Sequence, residues 1–118
     1  MPGRFTRLQR LLRPQQFSRV FAEPCRCKSP NFTLIMRKSA LQVGRLGITI
    51  AKRNIRQAVS RNRLKRQIRE TFRQQAPLLS GYDMVVLARA GADKRSNAEL
   101  RTELLGLWGQ GIARCVNS

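Results

Sequence analysis

The sequence predicts one α/β (α+β) domain built as a two-layer sandwich of sheet and helices. Three observations carry that expectation. The chain has 118 residues, the size of a single compact domain. Its hydrophobic content is 42%, enough for a modest core and too much for a wholly disordered chain. Apolar residues also switch between helical and strand spacing along the chain. The resulting order is helix, strand, strand, helix, strand, helix. No repeat or linker divides the chain, so residues 1–118 read as one domain, with residues 1–9 as a basic arm.

Pro14 suits the first turn of a helix. Phe17, Val20 and Phe21 then fall on one helical face, and Pro24 stops the segment. A loop or brief strand follows from Cys25 to Pro30. Phe32, Leu34 and Met36 alternate with Thr33, Ile35 and Arg37, the pattern of a strand. Leu46–Ala51 reads as a second strand, after turn signals at Gln42–Gly44. Asn54 with Gln57 resembles a capping box for a helix running to about Gln75, since Pro77 follows. Tyr82–Ala88 is a third strand, and its continuous apolar run implies burial on both faces. Ser96 and Glu99 form a capping box for the last helix, which Leu100, Leu104, Leu107, Trp108, Ile112 and Cys115 line on one side. Gly109 and Gly111 weaken its final turns.

Charge is the strongest functional signal. Lys and Arg number 24 against 6 acids, a formal charge of +18. A folded domain tolerates that self-repulsion best beside a polyanion. Arg outnumbers Lys 19 to 5, and guanidinium forks suit phosphate recognition and base stacking. Nucleic acid is therefore the expected partner. No apolar run approaches the roughly 18 residues of a membrane-spanning helix. Cys25, Cys27 and Cys115 make an odd count with no secretory signal ahead of them, so a reducing, cytoplasmic setting is expected. With no histidine and no second cysteine pair, Cys25-Arg26-Cys27 does not make a zinc site. The Arg-rich, acid-poor start also fits an organellar transit peptide, but it is poor in serine and runs into a helix, which favours a basic arm.

The charge is densest between Lys52 and Arg73, where nine basic residues meet one acid, Glu70. On a helix, Leu64, Ile68 and Phe72 form an apolar stripe. Asn62, Arg66, Arg69 and Arg73 fall on another face within about 60° of one another, over roughly 16 Å of axis. A merely solvated face normally mixes both signs. Repeated like charges one turn apart each cost a few tenths of a kcal/mol, which points to a compensating polyanion. Phe17 and Phe21 could stack on unpaired bases, although their spacing alone favours a place in the core.

The acid inventory argues against a protein that cuts RNA alone. Glu23, Glu70, Asp83, Asp93, Glu99 and Glu103 show no spacing that gathers carboxylates around paired metal ions. Without histidine, imidazole acid–base catalysis is also excluded.

Arg45-Leu46-Gly47-Ile48-Thr49-Ile50-Ala51-Lys52-Arg53 is followed by Ala58-Val59-Ser60-Arg61-Asn62-Arg63-Leu64-Lys65-Arg66 and Ile68-Arg69-Glu70, and together these stretches resemble the signature of the bacterial ribonuclease P protein family. Leu11-Leu12, Phe17 with Val20-Phe21, and Tyr82 to Arg89 support it, and Leu107-Trp108 resembles the proteobacterial branch. The resemblance implies a mixed four-stranded sheet with a short strand near Cys25–Lys28. It also implies a left-handed βαβ crossover, against the usual hand, in a ribosomal-protein-S5-domain-2-like arrangement.

The resemblance further implies an accessory subunit of an endoribonuclease, whose catalytic RNA removes the 5′ leader of precursor tRNA. Products would carry 5′-phosphate and 3′-hydroxyl ends. Contacts to ribonuclease P RNA would come from Arg61, Asn62, Arg63, Lys65, Arg66 and Arg69, to which the basic face adds Arg73. Phe17, Phe21, Lys52 and Arg53 would hold the leader, and Ile35 stands where some members carry a tyrosine. Mg²⁺ would be held mainly by the RNA subunit and substrate, where it activates water, with no dedicated protein site. No membrane and no protein partner is required. The rival readings are a ribosomal protein, a nuclease acting without RNA and, more weakly, a DNA-binding helix-turn-helix.

Overall fold

In the computed structural model, residues 25–39 and 42–116 are described. Four strands, β1 (Cys25–Lys28), β2 (Phe32–Lys38), β3 (Arg45–Thr49) and β4 (Tyr82–Ala88), form one sheet in the order β1-β2-β4-β3. β1–β2 and β2–β4 are antiparallel, while β3 and β4 are parallel. The helix α1 (Ala58–Gln75) joins β3 to β4, and α2 (Asn97–Gly111) follows β4. Short 3₁₀ turns occupy Ala76–Leu79 and Ala92–Lys94. The mixed sheet, the short first strand and the α+β class are as expected.

Register decides which side chains meet the helices. Cys25, Met36, Met84 and Leu46 share one cross-strand row, and Cys27, Leu34, Val86 and Ile48 the next. Leu34, Met36, Leu46, Met84 and Val86 are buried in one cluster with Leu64, Ile68 and Phe72 of α1 and Leu100, Leu104, Leu107 and Trp108 of α2. Both helices therefore lie on the same face of the sheet. On the opposite face Ile35, Val85 and Leu87 form a small second cluster. The continuous apolar run of β4 serves both faces, as its sequence suggested.

Two polar side chains enter the α1–α2 contact. Thr71 Oγ1 donates back toward the Gln67 and Ile68 carbonyls and accepts the Trp108 indole N–H at 2.9 Å. Phe72 and Trp108 pack with ring centroids 5.5 Å apart and planes tilted by 60°. Such tilted pairs add about 0.5–1.5 kcal/mol beyond burial.

The ends of the helices differ from one another. For α2 the Ser96–Glu99 capping box forms in both directions, 3.1 and 2.9 Å, and the hydrogen bond from the Ser96 backbone N–H to the Glu99 carboxylate is the main cause that lowers its pKa from the ordinary value. Its regular turns end at Gly111, and Ile112–Val116 continue as a wider π turn. For α1 the expected Asn54 cap is not realised. The helix starts three residues later, with Gln57 in the cap position and no side-chain cap bond. Asn54 instead donates its side-chain amide to the Ala88 carbonyl at 3.3 Å, pinning the β3–α1 turn to the end of β4. The second strand is correspondingly shorter than expected at its far end, stopping at Thr49.

The three cysteines are not all free thiols. Cys25 opens β1 and Cys115 sits in the last turn, and the two are joined in a disulfide across 90 residues of sequence. Cys27 remains a free, buried thiol whose pKa is raised by desolvation.

Candidate nucleic-acid interface

The basic face of α1 follows from where its apolar residues must go. Leu64, Gln67, Ile68, Thr71 and Phe72 are buried. At about 100° per residue they occupy an arc centred nearly opposite Asn62. Asn62 and Arg66 are exposed, Arg69 and Arg73 are half-buried along the same outer side, and Lys65 is half-buried on its flank. No acid lies in the first turn of α1, and its start carries no side-chain cap. The free N–H groups and the positive end of the helix dipole therefore add to the cationic character of this surface.

The structure separates the two arginines of the Arg-Asn-Arg triplet from this face. Arg61 donates through Nη1 to the Ile55 and Arg56 carbonyls at 2.9 and 2.8 Å. Arg63 reaches the β4–α2 connection, donating to the Asp93 and Arg95 carbonyls at 2.8 and 3.1 Å and to Asn97 Oδ1 at 2.8 Å. Helical geometry accounts for the difference. Asn62 sits at the crest, and its neighbours fall about 100° to either side.

The second basic surface lies on the sheet face turned away from α1 and α2. Its rows are Arg26, Ile35, Val85 and Gly47; Lys28, Thr33, Leu87 and Thr49; and Arg37, Asp83 and Arg45. Asp83 is the one acid in these rows. It is buried and held by a two-pronged pair from Arg45, Nε to Oδ1 at 2.7 Å and Nη2 to Oδ2 at 2.6 Å. The same hydrogen bonds raise the Arg45 pKa further. Arg26 and Lys28 stay exposed, so the face is cationic beside a small apolar centre. Lys52 and Arg53 are exposed in the turn that Asn54 pins to Ala88. That turn stands at the end of the sheet where Arg89 reaches Thr33 Oγ1, at 3.4 Å. Phe17 and Phe21 lie outside the described residues.

The sequence alone does not mark Arg26, Lys28, Arg37 or Arg89 as binding residues. The available signal was their placement on alternate positions of strands, which becomes informative only once register shows that they share one face.

Among the described residues the other acids have structural partners or stand apart. Glu99 caps α2, and Glu103 accepts from the Ser29 hydroxyl, the Asn31 N–H and the Asn31 side-chain amide, the latter two at 2.7 Å. Glu103 thereby ties α2 to the β1–β2 turn. No three His, Cys, Asp or Glu side chains gather as a metal site among the described residues. No described helix is long and apolar enough to cross a membrane.

Comparison with known proteins agrees with the geometry. The family model for Ribonuclease P matches residues 5–111. The ribonuclease P protein component of Pseudoalteromonas atlantica is 43% identical over 114 residues, covering 97% of this chain and 95% of the relative. That of Pseudomonas aeruginosa is 44% identical over 105 residues, covering 88% of this chain and 78% of the relative. The solved ribonuclease P protein of Thermotoga maritima superposes with a TM-score of 0.74 at 29% identity, covering 86% of this chain and 96% of that one. The Staphylococcus aureus protein shares the fold, with a TM-score of 0.81 at 24% identity over 87% of this chain and 94% of that one. With the family model spanning nearly the whole chain, and the fold and basic helix in agreement, this chain belongs to the ribonuclease P protein family.

Proposed function

We propose that the chain is the RNA-binding protein subunit of ribonuclease P and assists a catalytic RNA in removing the 5′ leader of precursor tRNA. The observation that carries this reading is the acid-poor outer face of α1, where Asn62, Arg66, Arg69 and Arg73 stand opposite the buried stripe, with Lys65 on its flank. That face meets the phosphates of ribonuclease P RNA. Each neutralised phosphate releases counterions, so the contact is strongly salt-dependent.

The leader runs along the other basic surface. Arg26, Lys28, Lys52, Arg53 and Arg89 border the Ile35–Val85–Leu87 centre, where cations track the backbone and apolar side chains meet unpaired bases. Phe17 and Phe21 belong to the same proposed cleft. Mature tRNA lacks the leader, so this surface favours substrate over product.

The described acids do not fit a metal-dependent nuclease centre: the carboxylates of Asp83, Glu99 and Glu103 are engaged with Arg45, Ser96 and the Ser29–Asn31 turn, and Glu70 and Asp93 join no cluster of three. In this proposal Mg²⁺ is held by the RNA and substrate, and the protein supplies charge neutralisation and positioning. The setting is the cytoplasm, where tRNA precursors are processed.

The test is cleavage of a 5′-labelled precursor tRNA at low Mg²⁺, with bacterial ribonuclease P RNA alone, the protein alone, and both together. Cleavage at the mature 5′ end only in the combined reaction is the expected result. Cleavage by the protein alone would place the chemistry in this chain. No cleavage with a closely matched RNA would favour a structural role in another RNA assembly, such as the ribosome.

A further inference from the structure

The hydrogen bonds of Arg61 and Arg63 bear on how the RNA-facing surface is built. On an α-helix the three consecutive residues Arg61, Asn62 and Arg63 fan out by about 100° each. Asn62 points outward from the crest, and the arginines leave on opposite flanks. Each flank carries a loop, and each guanidinium bonds to that loop's backbone. Arg61 holds the Ile55 and Arg56 carbonyls of the β3–α1 loop, which bears Lys52, Arg53 and Arg56 as exposed cations. Arg63 holds the Asp93 and Arg95 carbonyls of the β4–α2 loop and the side chain of Asn97, the first residue of α2; the loop bears Lys94 and Arg95 as exposed cations.

We propose that Arg61 and Arg63 are positioning residues that clamp two cation-bearing loops beside the crest of α1, and that Lys94 and Arg95 on the Arg63 side are themselves contacts to the RNA. The inference rests on the reading that α1 binds ribonuclease P RNA and deepens it. The interface becomes a three-part surface, with Arg66 and its neighbours at the centre and a loop on each shoulder.

Three features support this division of roles. Guanidinium–carbonyl bonds are charge-assisted, so taking Arg63 from three acceptors at once to a phosphate would forfeit them all. The accepted groups are mainly backbone carbonyls, which fix the path of a loop whatever its side chains. The loop beyond Arg63 also lacks regular structure except for one 3₁₀ turn at Ala92–Lys94. The loop's own backbone bonds, Lys94 to Gly91 and Arg95 to Ala92, shape the turn locally, and the Arg63 bonds are what tie that turn to the flank of α1.

The experiment measures affinity of the full-length protein for bacterial ribonuclease P RNA across a salt series. Lys94→Ala with Arg95→Ala removes exposed side chains and leaves every Arg63 acceptor in place, so the fold is retained and a matched melting curve checks this. The slope of log affinity on log salt should fall by about one for each lost phosphate contact, about two in all. Arg66→Ala in parallel reports on the central face. A slope lowered by Arg66→Ala but unchanged by the loop pair would overturn the inference and leave the α1 reading intact. Slopes unchanged by both would overturn the α1 reading itself.

The clamp has its own readout. Arg63→Lys keeps the charge but cannot bridge three acceptors, so it should lose as much affinity as Arg63→Ala. Combined with the Lys94, Arg95 double substitution it should add little further loss, because the loop cations are already absent. Affinity retained in Arg63→Lys, or losses that simply add, would make Arg63 a direct phosphate contact instead.

Discussion

Trp108 of α2 and Thr71 of α1 are joined by an indole N–H to hydroxyl hydrogen bond of 2.9 Å in the core between the two helices. Thr71 is 0% and Trp108 1% exposed, so no water is at hand to replace either partner. Thr71→Val keeps the shape and strands the indole donor, which should destabilise the domain by about 1–3 kcal/mol. Thr71→Ser, which keeps the acceptor, should cost clearly less. Urea unfolding of the two variants checks the order, and equal losses would assign the effect to packing rather than the hydrogen bond.

The glycines of α2 should respond in opposite directions. A Cβ on Gly109 meets nothing within 4 Å, whereas one on Gly111 would lie 2.8 Å from Met36 Sδ and 2.9 Å from Leu34 Cδ2. Gly109→Ala should therefore gain up to about 1 kcal/mol from helix propensity. Gly111→Ala should lose about 1–3 kcal/mol from overpacking, less whatever propensity returns. The sequence marks both as helix weakeners. Only the structure shows that Gly111 permits α2 to approach β2. Thermal melts of the two variants under the same buffer make the comparison.

The Cys25–Cys115 bridge gives a chemical prediction. Protein purified without reductant and denatured should titrate one thiol, Cys27, and three after reduction. Closing about 90 residues should stabilise the oxidised form by about 2–4 kcal/mol. Cys25→Ser and reductant should lower the urea midpoint equally, and neither should add to the other. Three titratable thiols before reduction would show the bridge absent from the protein as isolated.

How much of this was legible in sequence depends on whether a residue's role is local. Alternation located β2, β4 was a run of apolar residues, and Ser96 with Glu99 marked the start of α2, because each signal lies within a few residues. Asn54 misled for the same reason. Its capping spacing is local, but the tertiary bond to Ala88 wins and α1 begins later. The Leu64–Ile68–Phe72 stripe fixed the outer face of α1, since burying one side of a helix exposes the other. The engagement of Arg61 and Arg63 was not visible, because their acceptors are carbonyls of distant or unpatterned loops. The sheet-face cations were hidden until register aligned β1, β2 and β4.

The Arg45–Asp83 pair connects stability to that sheet face. Asp83 is 2% exposed, and its carboxylate is matched on both oxygens by Arg45. Arg45→Ala strands the charge and should cost about 3 kcal/mol, the lower end of the range for breaking a buried pair. The lower end applies because the Arg45 side chain keeps 12% exposure and Arg37 stands opposite Asp83 in the register. Arg45→Met with Asp83→Leu removes both charges, and well-packed apolar replacements of such pairs are often neutral. That double variant should recover most of the lost stability. It also leaves the net charge of the face unchanged, because one positive and one negative group leave together. If Arg45 serves only to neutralise Asp83, the double variant should keep the proposed preference for precursor over mature tRNA. Recovered stability with a lost preference would instead make Arg45 a contact to the leader.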